Sequence, residues 1–147
     1  MKKIFANARG MTLIEIMVVL AIMGVIMALV GSNVMSRLAA AKVQAAQVQM
    51  KNFEDALEQY HLDSDAYPST EQGLEALVNK PSGGKTPKRY PAKGYLKGGK
   101  VPVDPWGEPY TFYSPGTQGH EYEIYSKGKD KQEGTDDDVS SFETESK

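Results

Sequence analysis

From Met11 to Gly31 the chain runs 21 residues with a single charged side chain, Glu15. At about 1.5 Å rise per residue a helix of that length is about 30 Å long, the hydrocarbon thickness of a bilayer. No other stretch limits the possible folds so strongly. The preceding "MKKIFANARG" carries Lys2, Lys3 and Arg9, so the positive-inside bias keeps the N-terminal end cytoplasmic and places the rest outside. A cleavable secretory signal would have a shorter apolar core followed by a small-residue cleavage site. "VGSNVMSRLAAAK" offers such a site, and hydropathy alone leaves both readings open.

Glu15 weighs against a discarded signal. A lone carboxylate inside an apolar helix costs a few kcal/mol to place in lipid and gives a signal sequence nothing in return. It either snorkels to the headgroups or meets a cation within the membrane plane. A cut after Gly10 would create that cation, the α-amino group of Met11, within reach of Glu15 on a neighbouring copy. "RGMTLIE" ahead of a long apolar helix resembles the class III signal of type IV pilins and pseudopilins. In that family a prepilin peptidase cuts after the glycine and methylates the new amino group. The resemblance implies cleavage between Gly10 and Met11, N-methylation of Met11 and an assembly role for Glu15. Met11 stands where the family usually has phenylalanine.

The 147 residues support one small domain, and the absence of cysteine excludes disulfides and thiolate metal sites. Net charge is −2, and losing Lys2, Lys3 and Arg9 would make the remainder more acidic. Such a chain is a poor nucleic-acid binder. Past the apolar run, Val34, Leu38, Ala41, Ala45, Val48, Phe53, Ala56, Leu57 and Tyr60 recur mostly every three or four residues. That spacing predicts one amphipathic helix from about Thr12 to His61, with Gly24, Gly31 and Ser32 as weak points. Ser69 or Thr70 can cap a short helix reaching Ala76 or Val78, stopped by Asn79-Lys80-Pro81. Lys80 to Lys100 holds seven basic residues and no acid. It reads as a solvated loop, or as an interface placing Lys97 against Glu54, Asp55 and Glu58 of an adjacent copy. "EPYTFYS" and "HEYEIYS" predict an antiparallel hairpin or meander packed on the helix. Trp106, in the "DPWGEPY" turn, is the expected plug between sheet and helix.

"YPSTEQGLEALV", "DPWGEPY" and "SPGTQGHEYEIYSKGKD", in this order, resemble the major pseudopilins of type II secretion systems from Gly10 to Asp138. The resemblance implies an α+β fold, a long N-terminal helix on a small antiparallel sheet. It divides the chain into a cleaved leader (1–10), a transmembrane helix and fibre core (11–31) and a periplasmic domain (32–147). The implied function is polymerisation into a periplasmic pseudopilus that helps drive folded proteins through the outer membrane. Implied partners are further copies in a helical fibre, minor pseudopilins, the inner-membrane secretion platform and prepilin peptidase. The alternative is a type IV major pilin for adhesion, motility or DNA uptake. No nucleophile motif, phosphate loop or His-rich pattern points to an enzyme, and His61 and His120 read as ordinary surface residues.

"SKGKDKQEGTDDDVSS" crowds Asp130, Glu133, Asp136, Asp137 and Asp138 into nine residues. A solvated acidic tail and a hard-cation site both suit such a composition, although the spacing is not that of an EF-hand. The pseudopilin resemblance implies a structural calcium here. Asp130, Asp137 and Asp138 match the family's liganding aspartates, with the carbonyl of Lys127 and an oxygen of Thr135 as weaker matches.

Overall fold

The computed structural model describes residues 10–142, without the side chains of residues 29–33 and 118. Apart from Gly10, the expected leader lies outside the described residues. Helix α1 (Leu13–Ser64) is followed by a 3-10 turn at Leu74–Leu77 and strand β1 (Thr111–Tyr113). A second 3-10 turn (Thr117–Gly119), strand β2 (Glu123–Ser126) and strand β3 (Val139–Ser140) complete the order. The α1 backbone stays helical through Gly24, Gly31 and Ser32. The chain divides into two compact units, Met1–Ala39 and Ala40–Lys147.

In the first unit every large apolar side chain from Leu13 to Met27 is exposed, Leu13 by 80% and Met27 by 72%. A bare apolar surface of that extent marks a protein or lipid interface. Among the described residues no helix is long and apolar enough to cross a membrane. The run Met11–Gly31, on which the sequence predicts an anchor, includes positions 29–31, whose side chains lie outside the described residues.

The second unit holds the core. Ala46, Met50, Phe53, Ala56, Leu57 and Tyr60 line one face of α1 and pack with Leu74, Ala76, Leu77, Leu96, Tyr110, Phe112, Ile124 and Val139. Truncating one of the larger ones, Leu57→Ala for example, costs about 2–5 kcal/mol. The early part of the expected stripe is corrected here: Ala45 is exposed and Val48 is 58% exposed, while Ala46 and Met50 are buried. Trp106 is also corrected. It is half-buried at the core margin under the Lys42 ammonium, 5.9 Å from the ring centre, and Phe53 against Tyr110, edge to face at 5.1 Å, fills the gap between helix and sheet.

The sheet is a three-stranded antiparallel meander in the order β1-β2-β3. Phe112 faces Ile124 across the first pair, and Ser126 faces Val139 across the second. The expected short helix after Ser69 shrinks to one 3-10 turn. Ser69 and Gln72 do form a capping box, Gln72 N donating to Ser69 Oγ at 3.3 Å and Ser69 N to Gln72 Oε1 at 2.9 Å. Gly73 then takes φ +59°, which breaks the helix before it grows.

The basic segment is more structured than a solvated loop. Pro87 and Leu96 are buried, Tyr60 OH donates to Lys85 O, Tyr90 OH to Ala76 O, and Tyr95 OH to Asp63 Oδ2. Its charged side chains stay exposed while its aromatic residues fasten it to the core.

Candidate functional site

Two regions carry the residues singled out by the sequence. At the N-terminal end, Gly10 and Met11 are exposed and non-helical, immediately ahead of α1. Thr12 and Glu15 face each other across the first turn: Glu15 N donates to Thr12 Oγ at 3.3 Å, and Thr12 N to Glu15 Oε2 at 3.5 Å. This is the T-x-x-E capping box, legible in "TLIE" and absent from the sequence reading. It places the acid at the helix start, beside the point where cleavage after Gly10 would leave an amino group.

The expected assembly residues lie on α1 and on the basic loop. Glu54 pairs with Lys51 one turn earlier, at 2.9 Å. Glu58 is exposed and accepts a hydrogen bond from Tyr67 OH at 3.0 Å. Lys97 is exposed and lines a cavity of about 300 Å³ with Asp55, Gln59 and Tyr95.

The second region is the loop from Lys127 to Asp138, between β2 and β3. Asp137 organises it. Its Oδ2 accepts from the amides of Lys129 (2.7 Å) and Asp130 (3.0 Å), and its Oδ1 from the Thr135 hydroxyl (2.8 Å). These donors hold its carboxyl below the usual carboxylate range, the Asp130 amide foremost. Asp130 Oδ1 accepts from Gln132 N at 2.8 Å and lies 3.3 Å from Thr135 Oγ. Asp138 Oδ2 accepts from Gly134 N at 2.7 Å, whereas its Oδ1 is buried without a hydrogen-bond partner. Lys127 is half-buried, its ammonium 3.8 Å from Glu133. Glu133 is itself held low, first by the Tyr125 hydroxyl.

The fold thus brings Asp130, Thr135 and Asp137 into one hydrogen-bonded cluster, with Asp138 fastened to the same loop. Among the described residues, no three carboxylate or imidazole groups converge closely enough to hold a metal. The aspartates are turned to loop amides instead. The donor set nevertheless fits a hard cation: it offers oxygen only, and one buried carboxylate oxygen, Asp138 Oδ1, is unpaired.

Comparison with known proteins decides among the readings. A prokaryotic N-terminal methylation motif matches residues 5–31, and the family described as "Type II secretion system (T2SS), protein G" matches residues 33–143. The chain belongs to the protein G family. Type II secretion system core protein G of Pseudomonas aeruginosa is 54% identical over 128 residues, covering 87% of this chain and 88% of its own. Its counterpart in Escherichia coli strain K12 is 42% identical over 134 residues, covering 91% of this chain and 90% of its own. The crystal structure of the major pseudopilin from the type 2 secretion system of enterohaemorrhagic Escherichia coli is similar with a TM-score of 0.65 and 38% identity, covering 74% of this chain and 92% of that one. These relatives favour the secretion reading over that of a type IV pilin.

Two residues that border the acidic loop escaped the sequence reading. Asp104 and Ser126 are the buried polar residues of the described core, 4% and 0% exposed. "DPWG" announced a turn, but nothing local announced that its aspartate meets a serine 22 positions later.

Proposed function

We propose that this chain is the major structural subunit of a type II secretion pseudopilus. It enters the inner membrane through residues 11–31 with its N-terminus cytoplasmic and its C-terminal domain periplasmic. It is cut by prepilin peptidase between Gly10 and Met11, methylated at Met11 and polymerised into a periplasmic fibre that drives folded proteins across the outer membrane. One observation carries the reading: the methylation motif and the protein G region lie end to end in one chain. The physics supports it. The charged leader blocks side-by-side stacking of apolar helices. Its removal leaves the exposed surface from Leu13 to Met27 to be covered first by lipid and then by other copies.

In this account Glu15 meets the Met11 amino group of a neighbour, and Glu54 and Glu58 face Lys97 of an adjacent subunit. Exposed pairs contribute only about 0–1 kcal/mol each, but a fibre repeats them at every contact. Minor pseudopilins and the inner-membrane platform complete the partners, and the chain's role is structural rather than enzymatic. Asp130, Asp137, Asp138, Thr135 and the Lys127 carbonyl are the groups that would hold Ca2+. The ion would offset the repulsion of the crowded carboxylates and staple further a loop that has no disulfide.

Mass spectrometry of the mature N-terminus tests the proposal. A chain beginning with N-methylated Met11 is expected. An intact leader, or cleavage beyond Gly31, would contradict it.

A further inference from the structure

The buried carboxylate of Asp104 is bonded in two directions. Its Oδ1 accepts from the amides of Trp106 (2.9 Å) and Glu108 (2.8 Å), closing a turn completed by Asp104 N to Glu108 O at 2.8 Å. That alone would make it a turn cap. Its Oδ2, however, accepts the hydroxyl proton of Ser126 on β2. A serine hydroxyl has one proton, so the Ser126 oxygen is left as an acceptor, and the amide of Gly128 donates to it at 3.3 Å. The next two amides, of Lys129 and Asp130, point at Asp137. Glu108, at the far end of the turn, pairs with Lys131 of the same loop at 2.7 Å. The turn therefore grips the acidic loop at two points, one buried and one exposed.

We propose that Asp104 is a positioning residue for the acidic loop: its carboxylate fixes the polarity of the Ser126 hydroxyl, and this orients the Gly128–Asp130 amides that hold Asp137 before any cation binds. A carboxylate is suited to this because it only accepts, so it dictates which way the serine proton points. An asparagine would keep the size and one oxygen but present a donor to Ser126. The serine proton would then lose its acceptor in a site that water does not reach.

The test uses the full chain in detergent micelles, with Asp104→Asn, Ser126→Ala and the double variant. Amide exchange is followed residue by residue with chelator present, and calcium is then titrated in. Both single variants should speed exchange at Gly128, Lys129 and Asp130 by about tenfold, the loss of one charge-assisted hydrogen bond. The Trp106 and Glu108 amides should stay protected in Ser126→Ala. The calcium midpoint should rise by a similar factor, and the double variant should go no further than the worse single, because both act through one bond. Unchanged exchange at these three amides, or strict additivity, would reduce Asp104 to a turn cap. Should Asp104→Asn fail to fold, Ser126→Ala decides alone. The calcium arm rests on the function proposed above. If wild type ignores calcium, that reading fails, while exchange in chelator still decides the role of Asp104.

Discussion

Gly128 shows how closely the acidic loop is built. Its φ is +63°, and a Cβ there would sit 2.1 Å from the Asp137 carbonyl oxygen and 2.7 Å from Asp137 Oδ2. Both the conformation and the space require glycine. Gly128→Ala is therefore expected to push Asp137 off the Lys129 and Asp130 amides and lower the melting temperature by several degrees. Nearly wild-type melting with the loop amides still protected would contradict this close approach. The sequence shows the glycine and the aspartate but not their contact, which depends on the chain turning back nine residues later. Thr12 and Asp104 were missed for different reasons. The capping box was readable locally but overshadowed by the assembly role that the pilin resemblance implies for Glu15, whereas the Asp104–Ser126 bond is a long-range contact with no local mark.

Among the elements, helix α1 was the most legible because its pattern is long and periodic. Its register was not: "KVQAAQVQM" is apolar on two adjacent stripes, and packing against Tyr110 and Ile124 selects Ala46 and Met50 over Ala45 and Val48. β3 has two residues and hides behind three aspartates, with Val139 the single apolar residue that signals it. Between β2 and β3 the acidic loop forms one unit, and the proposed calcium site predicts how its melting responds to the ion. A ligand that binds only the folded state stabilises it by about 2.7 kcal/mol at a hundredfold excess over its Kd. Chelator should thus lower the melting temperature by several degrees and loosen the residues after Tyr125. Calcium should restore it, magnesium poorly because it demands tighter octahedral geometry. Asp137→Ala should ignore calcium and melt below chelated wild type, since it also loses the hydrogen bonds from the Lys129 and Asp130 amides. Identical melting of wild type in calcium and in chelator would leave the loop a self-bonded acidic segment.

For the whole molecule, tyrosines set an alkaline limit. Burial first, then the charges of Glu54 and Glu58, push the Tyr122 hydroxyl up to about 12. Tyr110 and Tyr125 are also raised, mainly by burial. An unfolded tyrosine ionises near pH 10, roughly. Above that pH the unfolded chain sheds protons that the folded chain keeps. Stability is therefore full below it and falls as pH rises toward 12. Melting curves through this window should show the decline, and Tyr122→Phe should make it shallower while Tyr110 and Tyr125 sustain the rest. A melting temperature that stays level throughout would mean these hydroxyls are not protected by the fold.

The family and its architecture were legible because the motifs occur in order along the chain. The proposed assembly role lies beyond any single copy, since it covers the exposed apolar face from Leu13 to Met27 with lipid or with other copies and gives Glu15 a partner on a neighbour. Its most direct measurement is export of folded proteins to the medium by the bacterium that carries this chain, with the chain deleted and then restored as wild type or as Glu15→Leu. Deletion should trap the exported proteins in the periplasm. Wild type should release them, and Glu15→Leu should insert in the membrane yet leave them trapped. Normal export without the chain, or full rescue by Glu15→Leu, would contradict the account.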